Sequence, residues 1–249
     1  MKTVLITGCS SGFGHETAKF FLEKGWKVIA TMRSPKEGIL PKHENLRVIA
    51  LDVTNEDSIR QAIAEAGPID ALVNNAGIGL LNALEGVSVA AIREVFETNT
   101  IGTIAMTQAV LPQFRAKKSG VVVNVTSTVT LVPLPLLAVY TASKSAVNAF
   151  TESVALELEP FGVRMRIVLP GLAPTTKFSE NAFAKMAPVP DAYKPTFDNV
   201  LAGFQNPGPV THARDVAEAI FVAVTEPTSP MKIPAGADAV MWAEKVGMK

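Results

Sequence analysis

Short apolar runs alternate along the chain with segments in which apolar residues recur at helical spacing. Several runs show no polar alternation, which is typical of strands covered on both faces of a sheet. The predicted strands are Val4–Ile6, Val28–Thr31, Val48–Leu51, Ala71–Asn74, Val121–Thr126 and Arg164–Leu169. The predicted helices are His15–Lys24, Glu56–Glu65, Val89–Ala116, Tyr140–Glu159 and Ala213–Val224. The alternation predicts right-handed crossovers and a doubly wound, parallel α/β sheet.

The chain length and composition indicate one domain. A chain of 249 residues exceeds the usual domain length, but single α/β domains reach this size. Hydrophobic residues make up 48% and charged residues 18%, which argues against disorder. One irregular, proline-rich stretch runs over about residues 171–211. Its length favours a functional lid, with an ordinary surface excursion as the alternative.

The charge balance and the cysteine count exclude several classes of partner and site. The formal net charge is zero, and nothing indicates a nucleic acid or an anionic membrane as partner. The lone Cys9 can form neither an internal disulfide nor a cysteine-rich zinc site. The scattered histidines His15, His43 and His212 suggest no metal site. Without a signal-peptide or membrane-spanning pattern, we expect a cytoplasmic protein.

A glycine-rich turn, Thr7–Gly14, joins the first strand to the first helix and reads Thr-Gly-Cys-Ser-Ser-Gly-Phe-Gly. Glycines permit a tight turn and let backbone N–H groups approach a pyrophosphate, and the helix N-terminus adds further donors. The strand–turn–helix context is the one that dinucleotide binding requires. A turn without a ligand is the alternative.

The end of the second strand indicates which dinucleotide binds. NAD sites commonly place an acid there for the ribose 2′-hydroxyl, and the run Ala30–Ser34 contains none. Arg33 is instead available to pair with a 2′-phosphate, and Ser10 can add a hydrogen bond. We therefore predict NADP(H) as cofactor, although an exposed arginine can also be a solvated side chain.

Further motifs carry a resemblance to the classical short-chain dehydrogenase/reductase family over nearly the whole chain. The matching residues are Thr7–Gly14, Asp52, Val53, Asn74–Gly77, Asn99, Ser127, Tyr140, Lys144, Pro170, Gly171 and Thr175. The resemblance implies a single-domain Rossmann fold with about seven strands, the last within Ile233–Asp238. The glycine turn and the run Ala30–Arg33 resemble NADP-preferring members such as 17β-hydroxysteroid dehydrogenase type 1 and the retinol-dehydrogenase-like enzymes.

The resemblance also implies roles for individual residues. Cofactor binding is implied for Gly8, Ser10, Ser11, Gly12, Phe13, Gly14, Arg33, Asp52, Val53, Asn75, Ala76, Gly77, Tyr140, Lys144, Pro170, Gly171 and Thr175. Asp52 would contact the adenine, and Thr175 the nicotinamide carboxamide. Catalysis is implied for Asn99, Ser127, Tyr140 and Lys144.

The spacing of Tyr140 and Lys144 explains how they serve an oxidoreductase. Four positions apart on a helix, they project from one face. A neighbouring ammonium can lower the phenol pKa of about 10 by about 1–3 units, which would make Tyr140 a general acid/base. Ser127 would polarise the substrate carbonyl, and Asn99 would bind a water that links Lys144 to solvent.

The predicted reaction is hydride transfer between NADP(H) and a carbonyl or alcohol. A non-catalytic NADP(H)-binding sensor or scaffold is the alternative. The apolar segments 128–137 and 172–204 favour a hydrophobic substrate, although packing of a lid or a subunit contact would give the same composition. Members of this family usually pair through the two long helices, so we expect a homodimer or homotetramer.

Overall fold

Seven parallel strands form one sheet in the computed structural model, which describes residues 1–184, 186, 188–205 and 208–248. The strands are β1 (Thr3–Ile6), β2 (Lys27–Met32), β3 (Leu46–Ala50), β4 (Ala71–Asn74), β5 (Gly120–Val125), β6 (Val163–Pro170) and β7 (Lys232–Ala235). Their order is β3-β2-β1-β4-β5-β6-β7. The predicted doubly wound, parallel Rossmann sheet is confirmed.

Helices connect the strands and cover both faces of the sheet. They are α1 (Gly12–Glu23), α2 (Glu56–Ala66), α3 (Val89–Phe96), α4 (Gly102–Lys117), α5 (Ala138–Leu158), α6 (Lys177–Ala184), α7 (Lys194–Gln205), α8 (Ala213–Thr225) and α9 (Ala237–Lys245). The predicted continuous helix over Val89–Ala116 is wrong in one detail, because a π-helical turn at Glu97–Ile101 separates α3 from α4. Helices α6, α7 and α9 are additional to those that the sequence pattern predicts.

The hydrophobic core lies in two layers, one on each face of the sheet. The successive residues Val4, Leu5 and Ile6 of β1 are all fully buried, because their side chains enter alternate layers. Phe21 of α1 lies in one layer and Phe114 of α4 in the other. This two-sided cover explains why the strand runs are apolar without alternation.

A chain of buried amides and hydroxyls crosses the sheet below the carboxyl ends of β4 and β5. Asn74 Nδ2 donates to Thr107 Oγ1 over 3.1 Å and to Asn124 Oδ1 over 2.9 Å. Asn124 Nδ2 donates in turn to Thr151 Oγ1 over 2.7 Å. Buried polar groups require such partners, so this chain fixes α4 and α5 against the two central strands.

The outer face of α5 is open to solvent in this chain. Ala142 and Ala149 are exposed, and Leu156 is 74% exposed. This face is the one expected to meet a second copy, and the assembly stays a prediction. Among the described residues, no helix combines the length and apolar character needed to cross a bilayer.

Candidate active site

A cavity of about 880 Å³ opens at the carboxyl ends of the central strands. It lies where the strand order reverses between β1 and β4, the position at which open parallel sheets bind ligands. Its wall includes residues of the glycine turn, the β2 end, the loops after β3 to β6, and α6 and α7. Nearly all the residues predicted to bind cofactor therefore meet in one cavity.

The glycine turn forms a cradle that fits a pyrophosphate. Gly8 and Gly12 adopt positive φ angles of 75° and 57°, which glycine alone adopts readily. A Cβ on Gly14 would overlap the Gly8 carbonyl and the Asn75 side chain. The first turn of α1 contains no acid, and the Ser11 hydroxyl caps none of its N–H groups in the part of the chain described. These donors suit an anionic ligand.

Arg33, directly after β2, and Asp52, shortly after β3, also line the cavity. Arg33 is exposed at the end of β2 and lines the cavity. Asp52 accepts hydrogen bonds from Thr54 N over 3.0 Å and Thr54 Oγ1 over 2.7 Å. The backbone hydrogen bond from Thr54, its hydroxyl and the Arg33 charge hold the pKa of Asp52 below its usual value. The site thus offers a free guanidinium beside a fixed carboxylate.

Thr7 joins the glycine turn to the loop after β4 by hydrogen bonds. Its Oγ1 accepts the N–H groups of Asn75 and Ala76, each over 2.9 Å. Asn75 Nδ2 returns a hydrogen bond to the Thr7 carbonyl over 2.9 Å. A Cβ on the following Gly77 would lie 3.2 Å from Asn99 Oδ1 and 3.3 Å from Lys144 Nζ. The loop that Thr7 holds therefore approaches Asn99 and Lys144 closely, a role for Thr7 that its motif position alone did not show.

Ser127, Tyr140 and Lys144 line the same cavity wall. The Ser127 hydroxyl lies near the Tyr140 phenol and opposes the rise in its pKa that burial causes. Lys144 Nζ donates to the Val125 carbonyl over 2.9 Å and lies 6.0 Å from the centre of the Tyr140 ring. Tyr140 is 7% exposed and Lys144 is 5% exposed. Strand β5 and helix α5 thus place a phenol, a hydroxyl and an amine around one point.

Burial sets the protonation of the phenol and of the amine. It raises the pKa of Tyr140 well above its usual value, with the Ser127 hydrogen bond opposing the rise. The expected lowering by Lys144 is therefore wrong for this state, because the amine points at Val125 and the phenol lies in an apolar setting. Burial also lowers the pKa of Lys144 to about 8. At neutral pH the phenol keeps its proton.

Asn99 lies in the π-helical turn, fully buried behind the cavity wall of the described residues. Its Oδ1 accepts the Ile78 N–H over 2.8 Å, and its Nδ2 donates to the Ile78 carbonyl over 2.9 Å. Nδ2 also donates to Ser143 Oγ over 3.1 Å. The side chain therefore joins the loop after β4 to α5. The expected link from a bound water to Lys144 stays a prediction.

The loop after β6 places a different threonine in the cavity from the one predicted. Pro170 and Gly171 line the cavity as expected. Thr175 is exposed, whereas Thr176 is buried and belongs to the cavity wall formed by the described residues. The turn from Ala173 to Thr176 closes through an N–H to carbonyl bond of 3.1 Å, directly before α6, and directs Thr176 inward.

The segment predicted as a lid packs against Tyr140. The ring of Phe178 on α6 lies 5.5 Å from the ring of Tyr140. Several apolar residues line the cavity, namely Leu134, Leu137, Leu172, Phe178, Phe183, Val200 and Phe204. Met186, Tyr193 and Phe197 instead pack against the buried Leu81, Ala83 and Leu136. Tyr193 also donates to Glu85 Oε2 over 3.0 Å. Part of this apolar segment thus lines the cavity and part packs against the domain, and the hydrophobic substrate stays a prediction.

Cys9 and the histidines contribute no further chemistry to the site. Cys9 is fully buried, and burial raises its pKa to about 12, so the thiol is a packing group. The described residues contain no cluster of histidine, cysteine and acidic side chains able to hold a metal ion.

A comparison with known protein families agrees with this geometry. The model of the short chain dehydrogenase family matches residues 2–187. The chain belongs to the short chain dehydrogenase family. This short chain dehydrogenase is 40% identical to 3-ketodihydrosphingosine reductase of Bacteroides thetaiotaomicron, over 68% of the chain and 62% of that relative's length. It is 34% identical to retinol dehydrogenase 8 of Homo sapiens, over 93% of the chain and 80% of that protein.

Solved structures show the same fold with a dinucleotide bound. A short chain dehydrogenase from Burkholderia cenocepacia in complex with NADP superposes with a TM-score of 0.80. It is 28% identical, and the match covers 99% of this chain and 94% of that one. Another solved relative, at 27% identity and a TM-score of 0.77, carries NADH.

The buried amine of Lys144 gives a prediction for stability against pH. Its pKa of about 8 in the folded protein lies below about 10.4 in an unfolded chain. Between these values the unfolded chain binds more protons, so the stability of the native protein rises with pH. From pH 7 to pH 10, we expect the free energy of unfolding of the unmodified protein to rise by about 2–3 kcal/mol relative to that of Lys144→Met.

Urea unfolding of both proteins across this pH range measures the gain. Lys42→Met, at an exposed position, is the control and should follow the native protein in parallel. A constant difference between native and Lys144→Met proteins would contradict the prediction.

Proposed function

We propose that this short chain dehydrogenase uses NADPH to reduce the carbonyl of a hydrophobic ketone or aldehyde, with Tyr140 as the proton donor. The observation that carries the proposal is the protonated, buried phenol of Tyr140. It contacts the Ser127 hydroxyl at the floor of an apolar cavity that continues into a dinucleotide cradle. The proposal goes beyond the family assignment in naming the cofactor, the direction and the substrate class.

Each residue around the cavity has a separate role in the proposed reaction. When bound, a nicotinamide cofactor supplies the hydride that adds to the carbonyl carbon. Tyr140 gives its proton to the carbonyl oxygen, and the Ser127 hydroxyl hydrogen-bonds to that oxygen as negative charge develops. Lys144 would bind the ribose hydroxyls of the cofactor. Burial favours the neutral phenol, which is the form that can donate a proton to a carbonyl oxygen.

The choice of NADPH rests on the β2 end. Arg33 provides a guanidinium at the edge of the cradle, Ser10 is exposed beside it, and both line the cavity. An NAD-type acid is absent from the sequence of this strand end, Ala30–Ser34. Guanidinium pairs bidentately with phosphate, which supports a cofactor that carries a 2′-phosphate. The NADP in the Burkholderia relative agrees with this choice.

Replacing the proposed proton donor tests the mechanism. Tyr140→Phe keeps the ring and removes the hydroxyl, so we expect kcat to fall by about 10²–10⁴-fold while dinucleotide binding persists. The loss of nicotinamide absorbance measures turnover, and quenching of protein fluorescence measures binding. Tyr193→Phe is a matched control, because Tyr193 is the other tyrosine of the chain and donates its hydroxyl to Glu85. Unchanged turnover in Tyr140→Phe would overturn the mechanism. Absence of turnover in the native protein would favour a sensor.

Replacing Arg33 tests the cofactor preference. A hydrogen bond to a charged group contributes about 1.5–3 kcal/mol, so Arg33→Ala should raise the KM for NADPH by about 10–100-fold. The KM for NADH should stay nearly constant. Lys36→Ala, exposed in the same loop, should change neither value. Equal losses with both cofactors would show that Arg33 does not read the phosphate.

A panel of carbonyl compounds tests the substrate class. The apolar wall should favour long-chain or ring ketones and aldehydes over sugar phosphates and other charged carbonyls of similar size. One methylene in a hydrophobic pocket changes kcat/KM by about 10–200-fold, so the preference should exceed about tenfold. Steady-state kcat/KM values with NADPH measure it. A preference for polyols or charged substrates would refute this part of the proposal.

A further inference from the structure

The lid segment leaves and rejoins the domain at one place. It leaves after Gly171 and returns at Thr211, directly before α8. Thr211 N donates to the Leu172 carbonyl over 2.8 Å, and Gly171 N donates to Thr211 Oγ1 over 2.9 Å. Gly171 and Leu172 also line the cavity. The base of the lid is therefore part of the wall of the active site.

A buried carboxylate from another element binds both ends of the lid. Asp238 is the second residue of α9. Its Oδ2 accepts the Leu172 N–H over 2.6 Å, and Thr211 Oγ1 donates to its Oδ1 over 2.6 Å. Asp238 is 4% exposed and Thr211 is fully buried. Removal of the carboxylate would leave the Leu172 N–H without this acceptor and would break the link between Leu172 and Thr211 through α9.

Two glycines leave the carboxylate little room to move. A Cβ on Gly171 would overlap the Asp238 carboxylate, and a Cβ on Gly236 would overlap the Thr211 side chain. Gly236 also has a positive φ of 105°, which side chains rarely adopt. The contact between Asp238 and the lid base is thus closely packed on both sides.

We propose that Asp238 is a positioning residue of the active site. It fixes the base of the lid, and through the backbone of Leu172 it keeps the loop after β6 in the cavity wall. Its effect on turnover rests on the function proposed above, whereas its effect on the lid does not. A competing role is electrostatic, since a carboxylate in the first turn of α9 also stabilises that helix.

An asparagine separates the two roles. Its amide oxygen can accept the Leu172 N–H while its NH₂ donates to Thr211 Oγ1. The Thr211 hydroxyl can then give its proton to the Ala235 carbonyl, which lies 2.9 Å away. Asparagine therefore keeps the hydrogen bonds and loses the charge, whereas alanine loses both.

Amide hydrogen exchange of the free protein, followed residue by residue, tests the proposal. In Asp238→Ala the amides of Leu172 and Thr211 should exchange at least about tenfold faster, and in Asp238→Asn near the native rate. The KM for an apolar ketone should rise by about tenfold in Asp238→Ala with a smaller change in kcat. The reason is that a smaller fraction of the molecules has the lid in the conformation that binds substrate. Asp57→Ala and Asp57→Asn, at the second position of α2, are controls that should leave both readouts unchanged.

Equal behaviour of the alanine and asparagine variants, or native exchange rates in Asp238→Ala, would overturn the proposal. If Asp238→Ala does not fold, Thr211→Val and Thr211→Ser give the same test. Valine should speed exchange at Gly171, and serine should not. Exchange is measured without substrate, so a native protein that reduces no carbonyl would reject the proposed function alone.

Discussion

Burial of Tyr140 and Lys144 in one cavity wall is the constraint that the rest of the structure must satisfy. Ionisable groups lose hydration when buried, so each needs a fixed partner or a neutral form. The phenol contacts the Ser127 hydroxyl and keeps its proton, and the amine donates to the Val125 carbonyl. Burial thereby favours the neutral phenol, the form that the proposed reduction requires.

The polar groups below the cavity hold these partners in place. Val125 ends β5 and Ser127 follows it in the next loop, whereas Tyr140 and Lys144 belong to α5. The hydrogen bonds of Asn124 to Thr151 and of Asn99 to Ser143 join that strand and the loop after β4 to the helix. The hydrogen bond from Lys144 to Val125 requires that α5 and β5 keep this relative position. The buried amides therefore support the site although they do not line the cavity wall formed by the described residues.

The sequence predicted most of this fold because strands covered on both faces and amphipathic helices leave strong patterns. It missed α6 and α7, since prolines in that stretch indicate irregular chain. It predicted one helix through Asn99, because a π-helical turn keeps the same composition as its neighbours. The motif spacing identified Tyr140 and Lys144 but gave the wrong direction for the phenol pKa. Spacing shows which charges are near, whereas burial depth depends on α6, far away in sequence.

The position of Thr176 and the contacts of Asp238 escaped sequence-based prediction for a related reason. The choice between Thr175 and Thr176 depends on how a turn closes before α6, which a motif does not encode. Asp238 likewise resembles an ordinary first-turn acid in the sequence. Its contacts with Leu172 and Thr211 arise only when β6, the end of the lid and α9 meet in space.

The position of the lid and the strength of the proton donor are coupled through one aromatic contact. The ring of Phe178 contacts the ring of Tyr140. A Cβ on Gly79 would lie 2.9 Å from the Phe178 ring, so the loop after β4 prevents α6 from approaching more closely. Movement of α6 away from the site would hydrate the phenol and bring its pKa back toward its usual value. In the function proposed above, the contact that shields the phenol from water would also shield the carbonyl oxygen that receives its proton. The segment whose base contacts Asp238 would then bear on both substrate binding and proton transfer.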